Sequence, residues 1–306
     1  MERKKNKAIL LALKSLVSIS VLTLIVSKIG LDSIVNTLRN LNPFYFIMAS
    51  LLYIGSIYAS SIRWRVLLKV EGIENMEINR LFSLYLIGSF FNNLLPGIIG
   101  GDSVRIYYLY KDIQKGSSSL GSVLADRYTG FVALLLLGLL ALSIKFREIE
   151  GTGVEYLLLI ITCLFVVGSI LFFRFRIGDR FGTLRGFYDY FHRLFHQPSI
   201  FLHSIAYSLL VQIFIVLSVF SISVGMNLEV SLFDIFLLLP IVVTVTTVPV
   251  SLSGIGLREG AFIILFGKVG LSPENATALS FTWFLSYSIA SLTGLIFYLQ
   301  WRSKDG

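Results

Sequence analysis

The sequence has few of the residues that usually mark an enzyme site or a disulfide framework. Its 306 residues include one cysteine and three histidines, and charged residues make up 14% of the chain. A single cysteine excludes an intramolecular disulfide, so the redox compartment stays unspecified. Because Cys163 lies within an apolar run, we expect a buried thiol. The phosphate-loop pattern Gly-x4-Gly-Lys-Ser/Thr is absent, which excludes ATP hydrolysis by that route, and no cofactor is expected.

Hydrophobic residues, in contrast, are abundant. They make up 55% of the chain and give a mean hydropathy of +0.80, and several apolar runs have the length of a membrane span. The sequence therefore predicts an all-α integral membrane protein that forms a single domain over residues 1–306. The net charge of +8 would suggest nucleic acid if the domain were soluble. Here the bases lie between apolar segments, where they set orientation and meet anionic lipid, so no nucleic-acid partner is expected.

Six apolar segments are long enough to cross a bilayer as helices. They are 8–29, 43–62, 121–144, 154–173, 201–224 and 276–300. Another apolar segment runs from Leu81 to the break at Pro96. As a helix it would rise about 22 Å, short of the roughly 30 Å hydrocarbon core. We expect the chain to turn back there, with 102–112 returning, and we expect 232–250 and 257–266 to form a second re-entrant hairpin. The alternative to six spans and two hairpins is eight transmembrane helices.

The distribution of Lys and Arg predicts the topology. Most of these bases lie in segments that the arrangement above places on one side of the membrane, at 3–7, 63–80, 111–115, 174–193 and 302–304. Because cytoplasmic loops carry the excess of Lys and Arg, both termini should be cytoplasmic. The hairpins would then enter from opposite sides, as in an inverted repeat with halves of about 1–146 and 154–306. We expect the protein in the plasma membrane of a prokaryote, with 31–42 and 174–196 lying along the interfaces.

Two polar strings repeat each other within the hairpins, PGIIGGDSVR at 96–105 and PVSLSGIGLR at 249–258. In each string a proline is followed five residues later by glycine, and an arginine comes four residues after that glycine. Proline and clustered glycine interrupt a helix, and an interrupted helix at membrane depth survives only inside protein or beside a polar cavity. Paired interruptions of this kind point to the binding site of a transporter.

Several ionisable residues lie inside the predicted membrane segments, where each charge costs at least about 2.5 kcal/mol at the bilayer centre. Lys14 can extend to the cytoplasmic interface and is given no role. The others are Asp102, Arg105, Asp126, Arg127, Arg258 and Glu259. Since the charges of these six cancel, one interpretation is a set of structural ion pairs. Asp126 and Arg127 point about 100° apart on a helix, so we expect each to reach a different hairpin.

The functional interpretation of the same residues is an anion site. Arg105 and Arg258 would each lie one turn into a helix that begins after a glycine-containing break, where free N–H groups and the helix dipole favour an anion. Guanidinium groups match phosphate oxygens bidentately, and glycine lets the backbone approach a ligand. The glycines concerned are Gly100, Gly101, Gly254 and Gly256. Asp102 and Glu259 would hold the arginines, receive a substrate amine or carry a coupling proton, three roles that the sequence leaves open.

Catalytic and metal sites have weaker support. Ser251 and Ser253 lie in a turn, but the histidines fall in or beside the cytoplasmic segment, so no base accompanies these serines. His192 and His196 have i, i+4 spacing, but Pro198 interrupts the helix before His203. No metal site is therefore expected.

Four motifs, in their order and spacing, resemble the lysylphosphatidylglycerol synthase transmembrane, or flippase-like, family. They are RWRVLL at 63–68, GGDSVR at 100–105, DRYTG at 126–130 and PVSLSGIGLRE at 249–259. The resemblance covers nearly the whole chain and implies movement of lipids between leaflets, including aminoacylated phosphatidylglycerol. Bifunctional members continue into a soluble aminoacyl-transferase domain, whereas this sequence ends at Gly306. We therefore expect no aminoacylation of lipid.

Together these features predict a lipid translocator, not an enzyme, whose partner is a membrane phospholipid or lipid-linked intermediate with a phosphate-bearing headgroup. Two alternatives stay open. One is a membrane-embedded enzyme or accessory subunit in lipid or lipid-linked glycan synthesis, and the other is a non-transporting scaffold whose buried charges are structural. The oligomeric state is open as well, a homo-oligomer included.

Overall fold

The computed structural model describes residues 41–94, 99–176, 182–247 and 254–305, with the isolated positions 23 and 39. Within these ranges the chain is almost entirely helical and contains no β-strand, which confirms the predicted all-α class. The helices are α1 (Pro43–Leu68), α2 (Ile78–Leu94), α3 (Ile99–Ile113), α4 (Gly116–Ile149), α5 (Val154–Phe175), α6 (Gly182–Phe195), α7 (Pro198–Gly225), α8 (Leu232–Thr247), α9 (Leu257–Gly267), α10 (Pro273–Ser291) and α11 (Thr293–Asp305).

Five helical segments are long and apolar enough to cross a membrane. They are α1 with the 3-10 turn Lys69–Glu71, α4, α5, α7, and α10 with α11 as far as Gln300. The sixth predicted span, 8–29, and nearly all of the interfacial segment 31–42 lie outside the described residues. α4 has 34 residues and is about 51 Å long, so it extends beyond the predicted span at both ends. The last span is interrupted at Leu292.

Local sequence sets where the spans begin. The Asn42 side chain accepts a hydrogen bond from the Phe44 N–H at 3.0 Å, and Pro43 takes the first helical position of α1. Proline is favourable there because its missing N–H would have no helical partner. Ser272 and Pro273 open α10 in the same way.

Four shorter helices form the two interrupted pairs. α2 and α3 contain 17 and 15 residues, and α8 and α9 contain 16 and 11. Each is therefore between about 16 and 26 Å long, less than the roughly 30 Å hydrocarbon core. These lengths are those of re-entrant hairpins. The connecting tips, 95–98 and 248–253, lie outside the described residues and include Pro96, Pro249, Ser251 and Ser253.

α1 and α7 pack against each other through small and hydroxyl-bearing residues. Ser218 Oγ donates a hydrogen bond to the Ala49 carbonyl, and Ser221 Oγ donates to the Tyr45 carbonyl, each at 3.0 Å. Such contacts are the usual means by which membrane helices associate, because lipid supplies no hydrophobic drive between them. Each of the two helices is followed by an interrupted pair and then a long span. The division of the chain into inverted halves stays a prediction.

The α5 helix lies at the periphery of the described helices. Its buried residues are confined to the first two turns, and Cys163, further along, is exposed. The expectation of a buried thiol is therefore wrong, because an apolar run can be accommodated by lipid as well as by protein. The adjoining α6 packs its aromatic face on α4 and α1, where the Tyr190 hydroxyl donates to the Leu67 carbonyl at 2.7 Å.

Candidate functional site

A cavity of about 630 Å³ lies among α1, α2, α3, α4, α7, α8, α9 and α10. Both interrupted pairs contribute to its wall. Of the charged residues singled out in the sequence, Asp102, Arg105, Asp126, Arg127 and Arg258 line the cavity. Glu259 lies behind the wall, in contact with Arg258. The residues of the two polar strings are thus brought to one place.

The first interrupted pair is held together by glycine. Gly101 packs so close to α2 that a Cβ at this position would stand 1.9 Å from the Gly88 carbonyl oxygen. Its N–H also donates to Asn92 Oδ1 at 2.9 Å. Gly100 and Gly101 lie inside α3, so the expectation that they form the break is wrong. Arg105 is consequently nearly two turns into the helix, and not one.

Asp126 is the centre of the first charged cluster. Its carboxylate is 1% exposed, and it pairs with Arg63 Nε at 2.7 Å and with Arg105 Nη2 at 3.0 Å. The Tyr85 hydroxyl donates to the same carboxylate. Arg63 also donates to Ser208 Oγ at 3.0 Å and to the Tyr85 hydroxyl at 3.2 Å. One buried aspartate on α4 thereby joins α1, α2 and α3.

The neighbouring Arg127 reaches the same interrupted pair. Its Nε donates to Asp102 Oδ2 at 2.8 Å and its Nη2 donates to Asp102 Oδ1 at 3.2 Å. Asp102 also contacts Arg105 at 3.4 Å. The expectation that Asp126 and Arg127 reach different hairpins is wrong. Both pair with α3, where Arg105 contacts Asp126 and Asp102 contacts Arg127. The two side chains diverge as a helix requires, but both meet α3.

Arg63 is a residue that the sequence interpretation missed. The sequence predicts that it follows the second span among the cytoplasmic bases, but α1 continues to Leu68 and Arg63 is buried, with 5% of its surface exposed. The RWRVLL motif at 63–68 was the available signal. With Arg63 included, the first cluster contains three arginines and two aspartates. The described residues of this cluster therefore carry one excess positive charge, whereas the charges of the six residues identified in the sequence cancel.

Aromatic rings hold the Arg105 guanidinium. Its central carbon lies 3.6 Å from the Tyr85 ring centroid and 4.2 Å from the Trp64 ring centroid. The face of an aromatic ring attracts a cation, most strongly when both are removed from water. Arg105 Nε is buried and has no hydrogen-bond partner among the described residues. Asp102, Asp126 and the two rings thus fix Arg105 within the cavity wall.

The second cluster is centred on Arg258, which is 4% exposed on its side chain. Its Nη2 donates to Glu259 Oε1 at 2.6 Å, and its Nη1 donates to the Tyr287 hydroxyl at 2.6 Å. Its Nε lies 3.1 Å from the same Glu259 oxygen and 3.2 Å from Ser280 Oγ. All three guanidinium nitrogens therefore have partners within the protein. This cluster is neutral.

Glycine forms the break in the second interrupted pair, as expected. Gly254 and Gly256 have φ angles of +77° and +86°, a conformation that favours glycine. Gly254 lines the cavity, and Gly256 caps α9. The Gly256 N–H donates to Glu259 Oε2 at 2.6 Å. The Glu259 carboxylate thus accepts a hydrogen bond from a backbone N–H at the start of α9 and also neutralises the charge of Arg258.

Arg127 is the most accessible cation of the first cluster. Its side chain is 45% exposed, and its Nη1 makes no hydrogen bond to a described residue. Guanidinium groups bind phosphate oxygens with planar, directional hydrogen bonds. The first cluster can therefore hold an anion through Arg127, while the second serves as a neutral polar wall. His192 lies on α6, His196 follows the end of that helix and His203 lies on α7, and none of the three lines this cavity.

Comparison with known proteins agrees with the motifs. Residues 11–294 match the family described as the lysylphosphatidylglycerol synthase TM region. A UPF0104 membrane protein of Methanothermobacter thermautotrophicus is 24% identical over 306 residues, covering 90% of this chain and 89% of the relative. A UPF0104 membrane protein of Methanocaldococcus jannaschii is 33% identical over 152 residues, covering 49% of this chain and 44% of the relative, so the chain spans less than half of that protein. Because the family match covers most of its length, the chain belongs to the lysylphosphatidylglycerol synthase transmembrane family.

Proposed function

We propose that this protein moves a phosphate-bearing lipid between the leaflets of the membrane, with the headgroup in the cavity and the acyl chains in the bilayer. The excess of arginine at the cavity wall is the observation that carries the proposal. The cavity volume of about 630 Å³ falls within the range of roughly 300 to 1,000 Å³ that is common for small-molecule sites.

The net charge of the first cluster supports an anionic headgroup. A cluster of three arginines and two aspartates is left with one positive charge in surroundings of low dielectric constant. Such a charge is costly unless an anion or water meets it. A phosphate diester carries one negative charge and several acceptor oxygens, so it matches both the charge of the cluster and the donors of Arg127.

Transport, and not catalysis, is part of the same proposal. The carboxylates at the cavity, Asp102 and Asp126, are engaged by arginines, and Glu259 is engaged by Arg258. In this arrangement they hold the wall in place. The plasma membrane as location and the cytoplasmic position of both termini belong to this proposal as well.

The test is lipid movement in proteoliposomes that contain fluorescently labelled phosphatidylglycerol. Arg127→Gln should slow the movement about tenfold or more, because it removes a charged hydrogen bond to phosphate. Arg193→Gln is the matched control. Arg193 is also 45% exposed and is paired with a carboxylate, Glu71, but it does not line the cavity.

The proposal fails if wild-type protein moves the label no faster than empty liposomes do. It also fails if Arg127→Gln and Arg193→Gln leave the rate equally unchanged. Both variants should elute as monodisperse protein, so that a slower rate reports on the cavity and not on folding. A loss of folded protein in Arg127→Gln alone would favour a structural role for the Arg127 pair.

A further inference from the structure

The uncharged part of the cavity wall offers hydrogen-bond acceptors. Hydroxyl and amide side chains in the wall include Ser56, Gln212, Thr246 and Thr247. The hydroxyl protons of Ser56, Thr246 and Thr247 are already used within the protein, since Ser56 donates to the Tyr53 carbonyl and the two threonines donate to carbonyls of their own helix. A hydroxyl that donates its proton keeps lone pairs that can accept. A ligand that donates hydrogen bonds therefore suits this wall.

Gln212 adds to the same property. Its Nε2 donates to the Gly130 carbonyl at 3.0 Å, which leaves the amide oxygen as an acceptor. Gln212 is 8% exposed and lines the cavity, so a ligand there can reach this side chain. A ligand that displaces water from such an acceptor without supplying a donor leaves it unsatisfied, which costs free energy, so a ligand with donors is favoured.

Among the residues that the structure describes, the cavity has no carboxylate to spare for a ligand ammonium group. Asp102 pairs with Arg105 and Arg127, and Asp126 pairs with Arg63 and Arg105. Glu259 is shared by Arg258 and the Gly256 N–H. The hairpin tips, 95–98 and 248–253, contain no ionisable side chain in the sequence, so they do not alter this balance.

We propose that the cavity selects an anionic headgroup whose distal part is an uncharged polyol, such as a glycerol, inositol or sugar phosphate, over headgroups that carry an ammonium group. This inference rests on the proposed function. Phosphate offsets the excess positive charge, and the polyol hydroxyls donate to the acceptors of the wall. An ammonium would instead bring a second positive charge without an available carboxylate partner.

The test compares three lipids in phosphatidylcholine proteoliposomes, each with the same fluorescent label on one acyl chain. They are phosphatidylglycerol, phosphatidic acid and phosphatidylethanolamine, and dithionite reports their movement to the outer leaflet. Phosphatidylglycerol should move about tenfold faster or more than phosphatidylethanolamine, because an unmatched like charge is strongly disfavoured. It should also move faster than phosphatidic acid, which has the phosphate without the polyol.

Each result separates a different part of the inference. Equal rates for phosphatidylethanolamine and phosphatidylglycerol overturn the selection by charge, and equal rates for phosphatidic acid and phosphatidylglycerol overturn the selection of a polyol. If none of the three moves faster than in protein-free liposomes, the proposed function itself fails and this inference falls with it. Movement of all three with the expected order supports both.

A change of charge in the wall provides a second test. The Asn92 side-chain oxygen accepts from the Gly101 N–H, and Asn92→Asp preserves that acceptor while adding one negative charge to the cavity. The preference for phosphatidylglycerol over phosphatidylethanolamine should then fall about tenfold. Gln114→Glu is the control, since it adds the same charge at an exposed position after α3. An unchanged preference in monodisperse Asn92→Asp protein would contradict the charge argument.

Discussion

Arg63 Nε lies 2.7 Å from Asp126 Oδ1, and both side chains are almost fully buried. This ion pair ties α1 to α4 beside the cavity. Among the described residues Asp126 is the carboxylate that pairs with Arg63, so its loss leaves a buried charge uncompensated at a cost of about 3 to 5 kcal/mol. The loss of Arg63 costs less, because Asp126 keeps its pair with Arg105. The pair is thus a structural requirement of the site, whatever the ligand.

Asp126→Asn should therefore lower the thermal stability of the purified protein, and Arg63→Met should do the same. The double variant should be more stable than the sum of the two losses predicts, because it leaves neither charge of the pair alone. The measurement is a melting curve in detergent for the four proteins of the double-mutant cycle. Strictly additive losses would show that the two side chains do not interact.

The contact between Gly101 and Gly88 predicts a steric effect. Gly101→Ala would place a Cβ 1.9 Å from the Gly88 carbonyl oxygen, so α2 and α3 must separate, at a cost of about 1 to 3 kcal/mol. Gly260→Ala is the control, because nothing lies within 4 Å of the added Cβ. In the α9 helix this control should be neutral or stabilising by up to about 1 kcal/mol. Melting temperatures that rank the two variants in the reverse order would contradict the close packing.

Substitution by lysine should have different effects on stability and transport at Arg258 and at Arg127. Arg258 uses its three nitrogens on Glu259, Ser280 and Tyr287, so Arg258→Lys should cost about 1 to 3 kcal/mol of stability. Folded Arg258→Lys protein should still transport. Arg127→Lys should instead lose transport with little change in melting temperature, because Asp102 occupies Arg127 Nε and Nη2 and Nη1 is the guanidinium donor that a phosphate can use. The transport rate and the melting temperature are measured for both variants. If the two variants change these quantities equally, Arg127 and Arg258 do not differ in role.

The topology can be tested with single cysteines. Cys163 is exposed on α5 and is first replaced by alanine. Cysteines at Lys115, Glu150 and Asn227, all exposed, are then labelled with an impermeant maleimide in oriented vesicles. Position 115 should react from the cytoplasmic side and positions 150 and 227 from the opposite side, because α4 spans the membrane and the bases favour the cytoplasm. Labelling of 115 and 150 from the same side would contradict this topology.

Much of the architecture could be read from the chain because lipid constrains it locally. A membrane helix must satisfy its own backbone hydrogen bonds and present apolar side chains, so length and hydropathy reveal it. The four spans predicted within 43–224 and the two interrupted pairs were found in this way. Gly254 and Gly256 were also placed correctly before α9, since a break needs residues that tolerate positive φ.

The partner of each charge, in contrast, was decided by tertiary structure. Arg63 joined the site because α1 continues past the predicted span and faces α4, and Gly101 became a packing residue because α2 lies against it. Such contacts depend on the rotation and approach of helices that are distant in sequence. Hydropathy reports which residues enter the membrane, but the excess positive charge of the cavity follows from which of them meet. The physical reason is that burial is a local property of the chain, whereas ion pairing is a property of two surfaces brought together.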